Sequence, residues 1–307
     1  MDHCCYKIAS LLIVWLVPLG ALAQTTPATP AAPTSTPLPS DELETTRGLA
    51  LGTGARASAA STSAHAYNPA AMPLTRTYHI EGLVGYSPSA NLWSLGSAIV
   101  DSSTNKLAMG LSFRGLIGAG DYSYNGFDGR ASLAIPLAEF LSVGVAGRYF
   151  SLESNAQGPD GEDGPTLGRG FTIDASIALQ PVNGLRLAVL GNNLIDVESS
   201  LAPTLIGGGL SYQFGDVFML GGDVLVDMTT FVDPKVIGGG GAEYLAGGTF
   251  PIRLGYRYDQ GRSTHTVTGG VGYVDQKVGF DFSMSQDVSG DGESETQLLL
   301  GLRYFVH

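Results

Sequence analysis

Few side chains in this chain are equipped for covalent chemistry. Beyond the N-terminal segment the histidines are His65, His79, His265 and His307. His79 and Glu81 stand two apart, so on an extended strand they share a face, as a base and its partner would. No G-x-S-x-G elbow accompanies them and no zinc-ligand spacing occurs. The run Gly238 to Gly241 is followed by neither the helix nor the lysine of a phosphate-cradling loop. The expectation is a non-enzyme without a cofactor. Asp287, Ser289, Asp291 and Gly292 imitate the opening of a calcium loop, but Leu298 stands at the twelfth position, where a carboxylate belongs. That segment, like the GPDGEDG stretch at 158–164, is read as a solvated acidic loop and not as a metal site.

The charged residues with the most to offer are arginines. Arg114, Arg148, Arg253 and Arg257 each have a large apolar or aromatic neighbour one step away. Two roles are open to them. They could attract the carboxylate head group of a ligand, or they could pair with Glu81, Asp174, Glu243 and Asp281 across a wall.

The element that must position them is a β-strand repeated many times. Leu107, Met109, Leu111 and Phe113 alternate with Ala108, Gly110, Ser112 and Arg114; Val278, Phe280, Phe282 and Met284 alternate with Gly279, Asp281, Ser283 and Ser285. Each segment has one apolar face and one small or polar face. Glu81, Arg114, Arg130, Arg148, Asp174, Arg186, Asp223, Asp227, Arg253, Arg257, Asp281 and Arg303 all keep to the second face. A lysine or arginine facing lipid at mid-membrane costs about 2–4 kcal/mol, so this avoidance fits a barrel with lipid outside and a polar lumen inside. Tyr78, Tyr86, Trp93, Tyr149, Tyr212, Tyr244, Tyr258, Tyr273 and Tyr304 fall near segment ends on the apolar face, where interfacial aromatics belong.

Strands are expected near 78–86, 93–100, 107–116, 130–137, 141–150, 171–179, 185–192, 205–214, 218–227, 236–244, 250–258, 266–273, 278–285 and 297–305, about fourteen in all. Links after odd strands are mostly long (117–129, 151–170, 193–203, 228–234, 286–296) and links after even strands mostly tight, although the first link, 87–91, is short. Outer-membrane barrels sort their loops this way, with short periplasmic turns and longer outside loops. The fold class is therefore all-β, a transmembrane antiparallel barrel of the bacterial outer membrane.

Residues 1–23 read as a secretory signal, with Lys7, an apolar stretch from Ile8 to Leu19, and a small-residue cleavage site at Ala21-Leu22-Ala23. Residues 24–40 form a Thr/Pro/Ala-rich tether. Residues 41–74 are rich in small side chains, with a short helix expected over 41–51 capped by Ser40 or Asp41. The barrel occupies 75–307. Cys4 and Cys5 both lie in the signal, which leaves no thiol for a disulfide or a metal. A net charge of −12 disfavours nucleic acid and suits a surface where divalent cations bridge anionic groups. The mean hydropathy of +0.14 is high for a secreted soluble chain.

Residues 48–72, GLALGTGARASAASTSAHAYNPAAM, resemble the N-terminal hatch of the FadL-type outer-membrane transporters and their PorV-type relatives. The motif that carries the likeness is Asn68-Pro69-Ala70; Ala71 replaces the family's following glycine, and Ser61 and Thr62 stand where acidic residues are common. Gly241-Ala242-Glu243-Tyr244 and Pro251-Ile252-Arg253-Leu254-Gly255-Tyr256 look similar too. The resemblance implies a fourteen-stranded barrel with a hatch in its lumen, and passive uptake of hydrophobic small molecules such as fatty acids. It implies as partners the bilayer, lipopolysaccharide and a hydrophobic ligand. Its alternative is a PorV-like scaffold that binds secretion-system proteins. Asn68, Pro69, Ala70, Arg114, Arg148, Arg253 and Arg257 are the candidate ligand and hatch residues.

Overall fold

The computed structural model describes residues 45–306 except 53, 120–123, 156–165 and 291–293. The expected signal and tether, and the GPDGEDG stretch, lie outside the described residues.

Fourteen strands close into one antiparallel barrel: β1 (Tyr78–Ser87), β2 (Leu92–Asp101), β3 (Ala108–Gly118), β4 (Tyr124–Ala138), β5 (Leu141–Ser154), β6 (Thr166–Val182), β7 (Leu185–Asn192), β8 (Leu205–Phe214), β9 (Phe218–Asp227), β10 (Lys235–Ala246), β11 (Phe250–Asp259), β12 (Thr264–Val274), β13 (Val278–Ser289) and β14 (Thr296–Phe305). Each pairs with its sequence neighbours, and β1 closes the ring on β14, with Glu81 opposite Arg303. Closure gives every strand a partner on both sides, which hydrocarbon demands because it cannot hydrogen-bond a free backbone group.

The register places the apolar face outward. Leu111, Phe113, Val145, Val224, Leu254 and Leu302 are all more than half exposed, while Arg114, Arg148, Asp174 and Asp281 on the opposite face are buried. Outward aromatics fall in two bands. Trp93, Phe127, Tyr149 and Tyr258 mark one end of the strands, and Tyr212, Tyr244, Phe250, Tyr273 and Tyr304 mark the other. Tyr86 stacks on Trp93 at 4.5 Å. Two such bands flank the hydrocarbon layer of a spanning barrel.

Two of the expected long links, 117–129 and 151–170, prove to be partly strand. β4 begins at Tyr124 and β6 at Thr166, and β5 continues to Ser154. The outward positions of these extensions are Asn125, Glu153 and Arg169, and Arg169 pairs with Glu153 at 2.9 Å. They stand above the lipid, with water on the outer face, so the apolar alternation that marks a membrane strand is missing there.

The described chain before β1 packs inside the lumen, with Leu49 reaching the apolar residues at its outer end. It forms α1 (Thr46–Ala50), α2 (Ser61–Tyr67) and a 3-10 turn (Pro69–Leu74). The cap of α1 is Thr45, whose Oγ1 accepts from Gly48 N at 3.0 Å, rather than Ser40 or Asp41.

The lipid-facing register sets an expectation. Leu254→Arg, near the middle of β11, should lower folding stability in bilayers by about 2–4 kcal/mol. Val232→Arg, in the 228–234 link, should leave it unchanged. A urea titration in lipid vesicles reads both; equal effects would reverse the assignment of faces.

Candidate functional site

The interior is built from two kinds of wall. Over β9 to β12 the wall is glycine. A Cβ on Gly255 would lie 2.4 Å from Gly52 N, and one on Gly54 2.5 Å from the Gly240 Cα. Plug backbone therefore rests directly on strand backbone, and any side chain there would unseat it. Within the Gly238 to Gly241 run this accounts for Gly241, where a Cβ would come within 2.8 Å of the Leu51 backbone; a Cβ on Gly238 would meet nothing within 4 Å. Thr268 Oγ1 donates to Ala50 O at 2.9 Å and Ser283 Oγ to Thr46 O at 2.7 Å, locking α1 to the same side.

Charges stitch the plug to this wall. Arg303 and Arg253 both hold Asp281, the latter at 2.5 Å; Arg253 Nε reaches Glu243 at 2.6 Å, and Arg47 of the plug binds the same carboxylate at 3.1 Å. Gly272 keeps the row clear, since a Cβ there would come within 2.4 Å of Asp281 Oδ1. Next to it, Arg56 of the plug binds Asp223, backbone N to Oδ2 at 3.0 Å. Thr62 donates to Glu81.

Asn68-Pro69-Ala70 sits against the opposite wall. Asn68 ends α2, with its N bonded to Ala64 O at 2.9 Å and its Nδ2 to Arg56 O at 2.8 Å. Pro69 opens the 3-10 turn, where its missing N–H is not needed. Ala70 N donates to Ser176 Oγ at 3.0 Å, Ser142 donates to Ala70 O, and Gly144 leaves the room. All three residues are buried. The motif is a turn and a wall-docking segment at once.

Two of the four candidate arginines meet. Arg148 binds Asp128 through Nε at 2.6 Å and Nη2 at 2.5 Å, and Arg114 Nη2 lies 3.6 Å from the same carboxylate. Arg130 joins them, 3.7 Å from Asp174 and bonded to Ala66 O of the plug. Arg253 belongs to the plug-holding row on the far wall. Arg257 pairs with Asp259 at 3.4 Å, which also binds Arg262 at 3.0 Å. All four arginines are in ion pairs, but only Arg253 meets carboxylates named among its expected partners; Arg114 and Arg148 share Asp128 instead, and Arg257 pairs within its own strand.

Between α2 and β1 to β4 lies a narrow cleft of about 40 Å³, lined by Thr62, His65, Ser94, Ser112, Arg114 and Asp128. It has room for little more than water. His65 spans it, with Nδ1 2.6 Å from Ser132 Oγ and Nε2 2.8 Å from Ser112 Oγ. Burial, and then Arg130, lower its pKa from 6.5 to about 3, so the ring is neutral. On the lipid side of the same wall is a notch of about 530 Å³ lined by Gly82, Ser97, Phe113, Phe280, Leu300 and Leu302. Gly82 leaves open space where its neighbours carry large side chains.

At the outer end of the lumen the inward register turns apolar. Leu92, Leu116, Tyr124, Phe150, Leu152 and Leu299 form a buried cluster, joined by Leu49 of the plug and by Leu201 and Ala202 of the link after β7. These residues escaped the sequence reading. The signal was present: Leu116 follows Arg114, and Phe150 and Leu152 follow Arg148, in the register reserved for small or polar groups. Asp287 of the calcium-like stretch accepts from Thr266 Oγ1 at 2.6 Å, and 291–293 fall outside the described residues.

No family model matches the chain, and no curated protein matches it. Solved structures do. The toluene transporter TbuX of Ralstonia pickettii superposes with a TM-score of 0.63 at 16% identity, covering 86% of this chain and 99% of that one. A Pseudomonas aeruginosa FadL homologue gives 0.59 at 13% identity, covering 85% and 98%. The Pseudomonas putida toluene transporter TodX gives 0.55 at 13% identity, covering 84% and 96%. At these identities the likeness is one of fold: the chain has the FadL-type outer-membrane barrel fold.

The neutral His65 generates a pH expectation. Its pKa is lower with the plug docked than free, so the docked state binds fewer protons. Plug docking should weaken as pH falls from about 6.5 towards 3, by up to about tenfold per unit, and change little further below that. A fluorophore on a cysteine introduced at Ser58 reads plug release in urea. His65→Gln should flatten the dependence; an equally steep profile in that variant would assign it elsewhere.

Proposed function

We propose that this protein is a non-enzymatic outer-membrane channel for passive uptake of hydrophobic small molecules, with the segment before β1 as its hatch. The observation that carries the reading is the apolar cluster inside the outer mouth. A channel for polar solutes has no use for Phe150, Leu116 and Leu152 in a luminal register, whereas a hydrophobic solute leaving water gains about 25 cal/mol per Å² of apolar surface buried there. The secretion-scaffold alternative asks for an apolar rim turned outward to a protein; these side chains turn inward.

The route runs from that cluster past Leu83 into the cleft beside α2, because the β9 to β12 side is filled by plug backbone. On the cleft wall Arg114, Arg130 and Arg148 face Asp128 and Asp174, three guanidinium groups against two carboxylates. Guanidinium groups bind carboxylates through charge-assisted hydrogen bonds, which supports a ligand with an anionic head such as a fatty acid, with Arg114, on the cleft lining, as the residue the head group meets and Arg148 as the one that holds Asp128 in place. Release follows hatch movement, with Asn68, Pro69 and Ala70 as the segment that must leave the β4 to β6 wall. A sideways release has its own support. The cleft and the lipid-facing notch share Leu83, Gly96, Ser97 and Phe113, so the wall is hollowed from both sides at β1 and β2.

Uptake into cells decides among these. Phe150→Asp should lower uptake of both a long-chain fatty acid and toluene at least tenfold. Arg114→Gln should lower fatty-acid uptake and spare toluene. Asn68→Ala, which loses the bond to Arg56 O, should change uptake of both; identical uptake removes the hatch from the route. Ser97→Trp fills the notch, and undiminished uptake would end the sideways path.

A further inference from the structure

We propose that the link after β7, residues 193–204, is a lid on the outer mouth, and that Asp174 couples the lid to the plug. The inference concerns the regulation of the route above and rests on that reading.

The link does not stand out into water as a loop after an odd strand would. The chain turns at Asn193, which is buried and holds φ at +50, a conformation that asparagine tolerates and most residues do not. It then folds back over the lumen. β6 and β7 stop pairing at Ala175 and Gly191, and the lid takes over the exposed part of β6. Leu194 N donates to Ile173 O at 2.8 Å, Thr172 Oγ1 to Ile195 O at 2.9 Å, and Ser199 Oγ to Leu167 O at 2.8 Å. Gly168 and Gly170 permit the approach, because a Cβ on either would lie within 2.5 Å of Ser199 Oγ or 2.7 Å of Val197 Cγ1. The underside of the lid, Val197, Leu201 and Ala202, closes the apolar cluster from above.

The latch is polar and runs to the plug. Asn193 N donates to Asp174 Oδ1 at 2.7 Å, and Arg148 Nη1 donates to Asn193 Oδ1 at 3.3 Å. The other oxygen of Asp174 lies 3.7 Å from Arg130 Nη2, too long for a hydrogen bond, while Arg130 Nη1 donates to Ala66 O in α2. Asp174 thus stands between a lid amide and a guanidinium that is holding the plug. When the lid lifts, the buried carboxylate loses its amide donor. The replacement within reach is Arg130, which closes on Asp174 and leaves Ala66. The outer cover and the inner hatch are then two ends of one switch, each biasing the other.

Hydrogen exchange of the full-length protein in lipid nanodiscs, read over residues 61–72 by mass spectrometry, tests this without any transport assay. A failed uptake experiment therefore leaves it standing, and its own failure leaves the uptake reading standing. Leu201→Asp puts a charge under the lid and should raise exchange in 61–72 at least tenfold. In an Asp174→Asn background the pull on Arg130 is lost, and Leu201→Asp should then add less than threefold. Heat-shifted gel mobility confirms that each barrel is assembled, and Val197→Asp substitutes if Leu201→Asp is not. Unchanged exchange with the lid lifted, or the same tenfold rise in both backgrounds, overturns the coupling.

Discussion

The structure depends on one constraint, the presence of a different solvent on each face of every strand. Hydrocarbon outside accepts no charge and no unpaired amide, so the ladder closes and the ionised side chains turn inward. The lumen then has to hold Asp128, Asp174, Asp223 and Asp281 with little water beside them. Each buried charge needs a partner, and the partners are arginines from neighbouring strands or from the plug.

That requirement makes the plug part of the wall. Arg47 and Arg56 complete the charge balance of β9 to β11, while Arg130 of β4 reaches back to the plug backbone. Glycine does the steric half of the work on one side, and serine and histidine hydrogen bonds do the polar half on the other. The plug is consequently held tightly against β9 to β12 and more openly against β1 to β4, which places the cleft. The filling is therefore asymmetric, with the open space on the β1 to β4 side.

Over this polar interior lies an apolar mouth, closed by the link after β7. The order from outside inward is lid, apolar cluster, arginine cluster, plug. The link and the plug approach each other at a single carboxylate, Asp174, which accepts from Asn193 N on one oxygen and lies 3.7 Å from Arg130 on the other.

What the amino-acid sequence determined by itself was everything that follows from local period. The two-residue alternation, the placement of Arg114, Arg148 and Asp281 opposite the large apolar residues, and the sorting of links by parity were enough to define a closed barrel and its faces, because lipid acts on each strand separately. Strand ends at Tyr124 and Thr166 were not legible, since water on the outer face erases the alternation there. The partners of Asn68, the seat for Gly52 and Gly54, and the meeting of Arg114 with Arg148 on Asp128 were decided only by the tertiary structure. The plug contacts join residues far apart in the chain and exist only once the ring has closed around that segment, whereas the Arg114, Asp128 and Arg148 cluster needs the pairing register of β3, β4 and β5, which puts Arg114 opposite Asp128. The inward-folded lid belongs with the plug contacts, because its Leu201 and Ala202 join the cluster of Leu92 and Leu116 from β2 and β3, which only the closed ring brings within reach.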